Sequence, residues 1–341
     1  MEDIRNCPFC NGNAKLVSID AEKEFRKEKF SVKEFFYKCT VCGEEFTTTK
    51  TDEISINQVY NQYREMHMIP FPKELSTLRE AYNHLSAQKM ALILGLGINT
   101  YSNYEKGEMP SLANAKLISS AKHPEVFLSY LEQSQGVLTE GATKNLVKKL
   151  KEAISNDKVD QYTGNFNWFS NPNRYTGYSA PSKEKLSNLL LYFLSNCNPD
   201  YNDKLKLNKL LYYTDFIHYK YYGESVTGLS YRAIPYGPAP TNFGFIFSFF
   251  SEKEPIIESE FIKSGNSRVI ECFKAIQAFD ESVFDENELR TIRKVVALFK
   301  NTSSWDLVAL SHQEKAWIDL NSSREIVSYQ EYAWDLVGDS A

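Results

Sequence analysis

The sequence contains CPFC at residues 7–10 and CTVCG at residues 39–43, two pairs of cysteines with 28 residues between them. In a Cys-x-x-Cys turn two thiolates converge on one ion, and two such turns complete a tetrahedral four-thiolate site. Because four thiolates leave no open coordination position, the ion would be structural rather than catalytic. The competing interpretations are a redox pair or disulfides. We predict a structural Zn²⁺ site formed by Cys7, Cys10, Cys39 and Cys42.

The segment between the cysteine pairs alternates loosely between apolar and polar residues, at 15–19 and again at 30–33. This pattern predicts a hairpin, as in a zinc ribbon over residues 1–68. Phe46 and residues 47–49 are interpreted as a further strand. Since so small a segment has little core of its own, we expect loss of the metal to unfold residues 1–70 and to leave 181–341 folded.

The composition is that of a globular protein with several domains. The chain has 341 residues, with 42% hydrophobic and 24% charged side chains, a length that predicts two or three domains. With no long apolar run and no apolar leader, we expect a cytoplasmic protein, where paired cysteines favour metal over disulfides. The net charge is −5, so any contact with DNA must come from a small local patch.

Residues 69–136 have the pattern of several short helices. Ser86 is a candidate cap for a helix over 87–94, and Gly95-Leu96-Gly97 forms a turn before a further helix, which Asn99 caps and which runs to about Lys106. A short helix after a glycine turn is typical of a helix-turn-helix, whose second helix enters the major groove. A plain helical bundle is the alternative. The candidate DNA contacts are Ser86, Gln88, Asn99, Thr100, Asn103 and Lys106.

The order of these motifs resembles a known family. The four-cysteine ribbon is followed by INTYSNYEKG at 98–107 and then by HPE at 123–125, an arrangement similar to the MqsA/YgiT-type antitoxins of bacterial toxin–antitoxin modules. The resemblance implies a homodimer that binds a palindromic operator through an Asn and an Arg of the recognition helix. Asn99 is at the Asn position, whereas Asn103 is where the family usually has Arg.

The next segment, 137–180, is predicted to be a linker. A short lysine-rich helix over 139–154 is followed by a stretch rich in Asn, Tyr, Gly and Ser. The aromatic residues Phe166, Trp168 and Phe169 make this stretch unusual for a passive linker, and docking on a neighbouring surface or a partner is the alternative.

The region 181–341 is predicted to be mostly helical, with a few short strands. It contains LNKLLYYTDF at 207–216, YRAIPYGPAP at 231–240 and LSHQEKAW at 310–317. These motifs resemble the SocA-like, or Panacea, domain. The resemblance implies an α-rich fold with a small sheet that binds a cognate toxin directly. Because aromatic residues dominate interface hot spots, the candidate toxin contacts are Tyr212, Tyr213, Tyr236 and Phe243.

The predicted fold is therefore multidomain and mainly α with small β: a zinc ribbon, a helix-turn-helix bundle and an α-rich C-terminal domain with a small antiparallel sheet. The predicted function is that of a type II antitoxin, which neutralises a toxin and represses its operon. The alternatives are a regulator that senses a small molecule and a proteolytic adaptor for the toxin. No enzyme is predicted, because the spacing of Asp215, His218, His312 and Glu314 matches no catalytic or metal motif.

Overall fold

A computed structural model describes residues 4–156, 171–264 and 268–339 of the chain. The aromatic residues Phe166, Trp168 and Phe169 of the predicted linker lie outside the described residues. Two compact units are present: Met1–Val59 together with Phe166–Ala341, and Tyr60–Asn165. In the part of the chain that the structure describes, no helix is both long and apolar enough to cross a membrane.

The N-terminal segment forms the predicted ribbon. Its four antiparallel strands, in the order β1-β2-β3-β4, are Ile4–Asn6, Asn13–Phe25, Glu28–Cys39 and Glu45–Phe46. The β2–β3 hairpin closes through Arg26 and Lys27, whose φ angles are 49° and 69°. Two successive residues with positive φ are typical of the tight turn whose twist matches that of the flanking strands. The turn fixes the register, in which Ala14 is opposite Cys39, and so brings the two cysteine pairs to one end of the hairpin.

Helix α1, Thr49–His67, follows β4 directly. The strand ends at Phe46, so the interpretation of residues 47–49 as part of a strand is wrong. The reason is local: Thr48 N donates to Thr51 Oγ1 over 2.8 Å, and Thr51 N donates to Thr48 Oγ1 over 3.3 Å. These reciprocal bonds satisfy amide groups that a new helix leaves without partners. The threonines thus cap a helix rather than extend a strand.

Tyr60–Asn165 contains the helix-turn-helix. Ser86 accepts a hydrogen bond from Lys89 N and so caps α3, and Gly95, with φ +68°, allows the turn before α4. One core joins these helices and includes Leu75, Met90, Tyr101 and Phe127. The helices of this unit after α1 are α2 Pro72–Ala81, α3 Ala87–Ile93, α4 Thr100–Glu105, α5 Leu112–Ser120, α6 Pro124–Gln133 and α7 Glu140–Asn156.

The C-terminal region is built around helix α9, Lys204–Tyr222. Every residue of this helix from Lys206 to Tyr219 is buried, as expected for a helix that packs on all sides. Gly223, in the left-handed conformation with φ 79°, ends it. The other helices are α8 Lys183–Asn196, α10 Phe243–Ser248, α11 Glu286–Phe299, α12 Ser304–Ser311, α13 Lys315–Leu320 and α14 Tyr329–Tyr332. The strands form two antiparallel pairs, β5 Tyr231–Ile234 with β6 Gly237–Pro240, and β7 Ile257–Ser264 with β8 Arg268–Ala275.

The sequence motifs of this region pack against one another. Lys209 of α9 is 1% exposed, and its Nζ donates to the carbonyl of Pro238 in β6 over 2.8 Å. Burial lowers the pKa of Lys209 well below its usual value. Gly237 has φ +85° and approaches the side chains of Lys209 and Ser311 too closely for a Cβ atom. The close packing of the Tyr-Gly-Pro turn against α9 therefore requires glycine at position 237.

We predict that Leu75→Ala destabilises the helix-turn-helix unit by about 2–5 kcal/mol, because it leaves a cavity in that core. Leu75 is 1% exposed, whereas Leu92 on α3 is 43% exposed, so Leu92→Ala is the matched control and should change stability by less than about 0.5 kcal/mol. Native-state hydrogen exchange of α3 in the full chain measures both. Equal effects of the two variants would be inconsistent with this core.

Candidate functional site

The four N-terminal cysteines come together at the end of the β2–β3 hairpin. Their sulfur atoms all lie within 4.8 Å of one another, with Cys7 Sγ 3.7 Å from Cys42 Sγ and Cys10 Sγ 3.5 Å from Cys39 Sγ. A tetrahedral ion with metal–sulfur bonds of about 2.3 Å places its ligands about 3.8 Å apart. The cluster therefore has the dimensions of a four-thiolate metal site.

Backbone amide groups favour the thiolate form of Cys39. Val41 N and Cys42 N donate to Cys39 Sγ over 3.4 and 3.5 Å. These hydrogen bonds, first from Cys42 and then from Val41, lower the pKa of the Cys39 thiol to about 6. A Cβ atom at Gly12 would lie 2.6 Å from Val41 Cγ2, so the two cysteine turns approach each other closely at a glycine. This arrangement can hold a metal ion.

The predicted DNA-contacting residues lie at the surface of the helix-turn-helix. Ser86, Gln88, Asn103 and Lys106 are exposed, and Thr100 is half-buried. Asn99 is exposed and begins α4, but its side chain makes no capping hydrogen bond. The expectation that Asn99 caps this helix is therefore not met. The position instead presents an amide group at the helix N-terminus.

The face of α4 opposite these polar residues is fixed by the core. Tyr101 is fully buried and its hydroxyl donates to the carbonyl of Leu75 over 2.9 Å. Tyr104 is 5% exposed and accepts a hydrogen bond from Asn114 Nδ2 over 2.8 Å. Arg79 Nε donates to Glu105 Oε1 over 2.7 Å. Both tyrosines and Glu105 are thus structural, and they hold the exposed face in place.

Two of the residues predicted to contact a toxin are core residues. Tyr212 and Tyr213 are both 0% exposed on α9, which corrects the prediction that they meet a partner. The reason is that α9 packs on every side. Phe243 is half-buried at the start of α10, and Tyr236 is 54% exposed at the β5–β6 turn. Tyr236 is therefore the most accessible of the four.

Tyr236 belongs to a group of surface aromatic residues that no local sequence pattern brings together. Its ring centroid lies 5.9 Å from that of Trp305, which is 53% exposed at the start of α12. At the base of the same turn, Trp317 Nε1 donates to the carbonyl of Ile234 over 2.9 Å, and His312 stacks on Trp317 at 3.8 Å. We call this group, Tyr236, Trp305, His312 and Trp317, the aromatic platform.

The residues of catalytic type have structural partners. Asp215 accepts hydrogen bonds from Val226 N, Thr227 N, Thr227 Oγ1 and Tyr231 OH. Burial raises the pKa of the Asp215 carboxyl to about 6, although these hydrogen bonds lower it. His218 Nδ1 lies 2.9 Å from Thr291 Oγ1.

The other two residues of catalytic type are also engaged by neighbouring backbone groups. Glu314 accepts from Val337 N and Gly338 N over 3.0 and 2.9 Å, and His312 Nε2 lies 3.1 Å from the carbonyl of Pro235. These contacts join separate parts of the fold.

Comparison with known families finds two matches in this chain. Residues 5–130 match the model of the antitoxin component of a bacterial toxin–antitoxin system, MqsA. Residues 207–318 match the model of the antitoxin SocA-like, Panacea domain. Both resemblances drawn from the sequence are confirmed, in the predicted order. No curated protein matches the chain.

We predict that Cys42→Ser weakens metal binding by at least about tenfold, since the loss of a partner that only orients a ligand already costs that much. Cys272 is a matched control because it is a free cysteine outside the cluster. The measurement is a competition between the full chain and a chromophoric chelator for Zn²⁺. Equal loss in Cys272→Ser, or none in Cys42→Ser, would contradict the site.

Proposed function

We propose that the chain is the antitoxin of a type II toxin–antitoxin system and acts by binding rather than by catalysis. In this proposal the C-terminal region binds and neutralises a protein toxin. The N-terminal half binds operator DNA and represses the operon. The observation that carries the proposal is the presence, in one chain, of two separate matches to antitoxin families, at 5–130 and 207–318.

The proposed ion of the ribbon is Zn²⁺. Four sulfur ligands within 4.8 Å of one another suit a borderline-soft ion with tetrahedral coordination. When bound, the ion supplies electrostatic cross-linking of the two cysteine turns. The backbone amides of Val41 and Cys42 contribute by stabilising negative charge on Cys39 Sγ.

DNA binding is proposed for the exposed face of α3 and α4. Asn99, at the first turn of α4, has an amide of the type that bonds adenine through N6 and N7. Ser86 and Gln88, at the start of α3, are placed to meet phosphate groups, and Lys106 adds positive charge. The resemblance implies a dimer on a palindromic operator. With Asn103 where that family usually has Arg, the operator sequence is expected to differ.

Toxin binding is proposed for the aromatic platform. Partly exposed Trp and Tyr side chains are the residue types most enriched at interface hot spots. The hydrogen bond from Trp317 to Ile234 and the contact between Tyr236 and Trp305 fix the rings before binding, which reduces the entropy lost on association. The platform lies within the segment 207–318 that matches the SocA-like antitoxin domain.

The DNA proposal predicts that Asn99→Ala lowers specific operator affinity by about 1–3 kcal/mol, because a bidentate contact to one base is lost. The control is Gln133→Ala, which removes an exposed amide from the end of α6 and should leave affinity unchanged. Titration of a labelled promoter duplex with the full chain at fixed salt measures both. Wild-type affinity in Asn99→Ala would exclude this recognition face.

The toxin proposal predicts that Tyr236→Ala weakens binding to the toxin by at least about 30-fold, the effect of losing one hot-spot residue. Tyr175, which is 41% exposed and outside both matched segments, provides the control Tyr175→Ala. Calorimetric titration of the full chain with the product of the adjacent gene measures the two affinities. If the two variants bind equally well, the platform is not the contact.

A further inference from the structure

Strand β3 of the ribbon has buried side chains well beyond the cysteine cluster, with Phe30 and Val32 on one face and Phe35 on the other. Phe30, Val32 and Phe35 are 2%, 3% and 4% exposed, although a two-stranded hairpin cannot bury such residues alone. The C-terminal segment buries part of this strand. The ring of Phe35 lies 5.7 Å from that of Trp334, so an apolar contact joins the ribbon to the C-terminal segment.

A chain of hydrogen bonds follows the same route. Gln58 of α1 pairs with the backbone of Lys33 in β3, accepting from its N over 2.7 Å and donating to its O over 2.8 Å. Gln330 Nε2 donates to Gln58 Oε1 over 3.1 Å, and Gln330 Oε1 accepts from Tyr219 OH over 2.7 Å. Gln58 is 1% exposed, so breaking this chain would leave buried polar atoms without partners.

Residues 328–339, which we call the C-terminal strap, connect this contact to α9. The Trp334 ring lies 5.5 Å from that of Tyr219, and Tyr329 stacks on Phe216 at 4.1 Å. Asp339 accepts from both Lys220 and Lys294, over 2.7 and 2.5 Å. The strap therefore contacts the ribbon on one side and α9 and α11 on the other.

The strap lies outside both segments that match antitoxin families, 5–130 and 207–318, yet it contacts residues of both. A second contact reinforces the connection, since Lys50 Nζ of α1 lies 4.1 Å from the ring centroid of Tyr222 at the end of α9. In the described structure, the two matched segments are thus joined by buried side chains as well as by the connecting chain.

We propose that metal binding by the ribbon stabilises the C-terminal strap and α9. A ligand that binds only the folded state stabilises everything that folds with its site. Loss of the metal releases β3. This strand contains Phe35, which packs against Trp334, and Lys33, whose backbone pairs with Gln58. This proposal differs from the expectation that loss of the metal simply leaves 181–341 folded, because it couples the stability of α9 and the strap to the metal.

The test is hydrogen exchange of the full chain, loaded with Zn²⁺ or stripped with a chelator and confirmed metal-free by elemental analysis. We expect amides of α9 and of residues 328–339 to exchange at least about tenfold faster in the stripped protein, together with those of β2 and β3. Unchanged exchange in α9 and the strap, with faster exchange confined to residues 1–59, would overturn the proposal.

Two variants test the route of this coupling while all four cysteines remain. Phe35→Ala should accelerate exchange of the strap even with Zn²⁺ bound, whereas Ile19→Ala, at a position that is 46% exposed on β2, should not. Gln330→Ala leaves the ribbon intact and should reduce the difference between loaded and stripped protein in α9. If neither Phe35→Ala nor Gln330→Ala alters exchange of the strap or α9, these contacts do not transmit the effect and the proposal fails.

Discussion

Four cysteine sulfur atoms lie within 4.8 Å of one another. As thiolates they would repel one another unless a cation lay between them, and this constraint governs the ribbon. The ion would hold two cysteine turns that have almost no core of their own. With the turns fixed, β2 and β3 stay in one register, and β3 presents Phe35 and the backbone of Lys33 to the rest of the chain. The need to neutralise the cysteine sulfurs thus affects side-chain packing far from the cysteines.

The two surfaces proposed for binding have a common design. At each surface, buried or partly buried residues fix the positions of a few exposed side chains. Tyr101 and the pair Arg79–Glu105 position the polar face of α4, and Trp317 fixes the turn that carries Tyr236. Rigid presentation matters for both tasks because binding then loses less conformational entropy. The negative net charge of −5 is compatible with DNA binding only if the basic contacts are local and few.

Much of the fold could be predicted from the sequence, because cysteine spacing and helical periodicity depend on neighbouring residues. The cysteine cluster and the helix-turn-helix follow from such local patterns. Helix α1 does not, since its threonine cap resembles a strand in composition. The burial of Tyr212 and Tyr213 could not be predicted, because residue type alone does not separate buried from exposed aromatic residues. The packing of Trp334 against Phe35 joins residues that are far apart in the sequence, and no local pattern reveals such a contact.

We propose that this chain neutralises a toxin, and cell growth is the most direct measure of that activity. The adjacent gene is induced in cells with and without the full-length chain, and colony-forming units are counted. We expect induction alone to stop growth and co-expression of the chain to restore it. Undiminished toxicity in the presence of well-expressed chain, or an adjacent product that does not impair growth, would contradict the account.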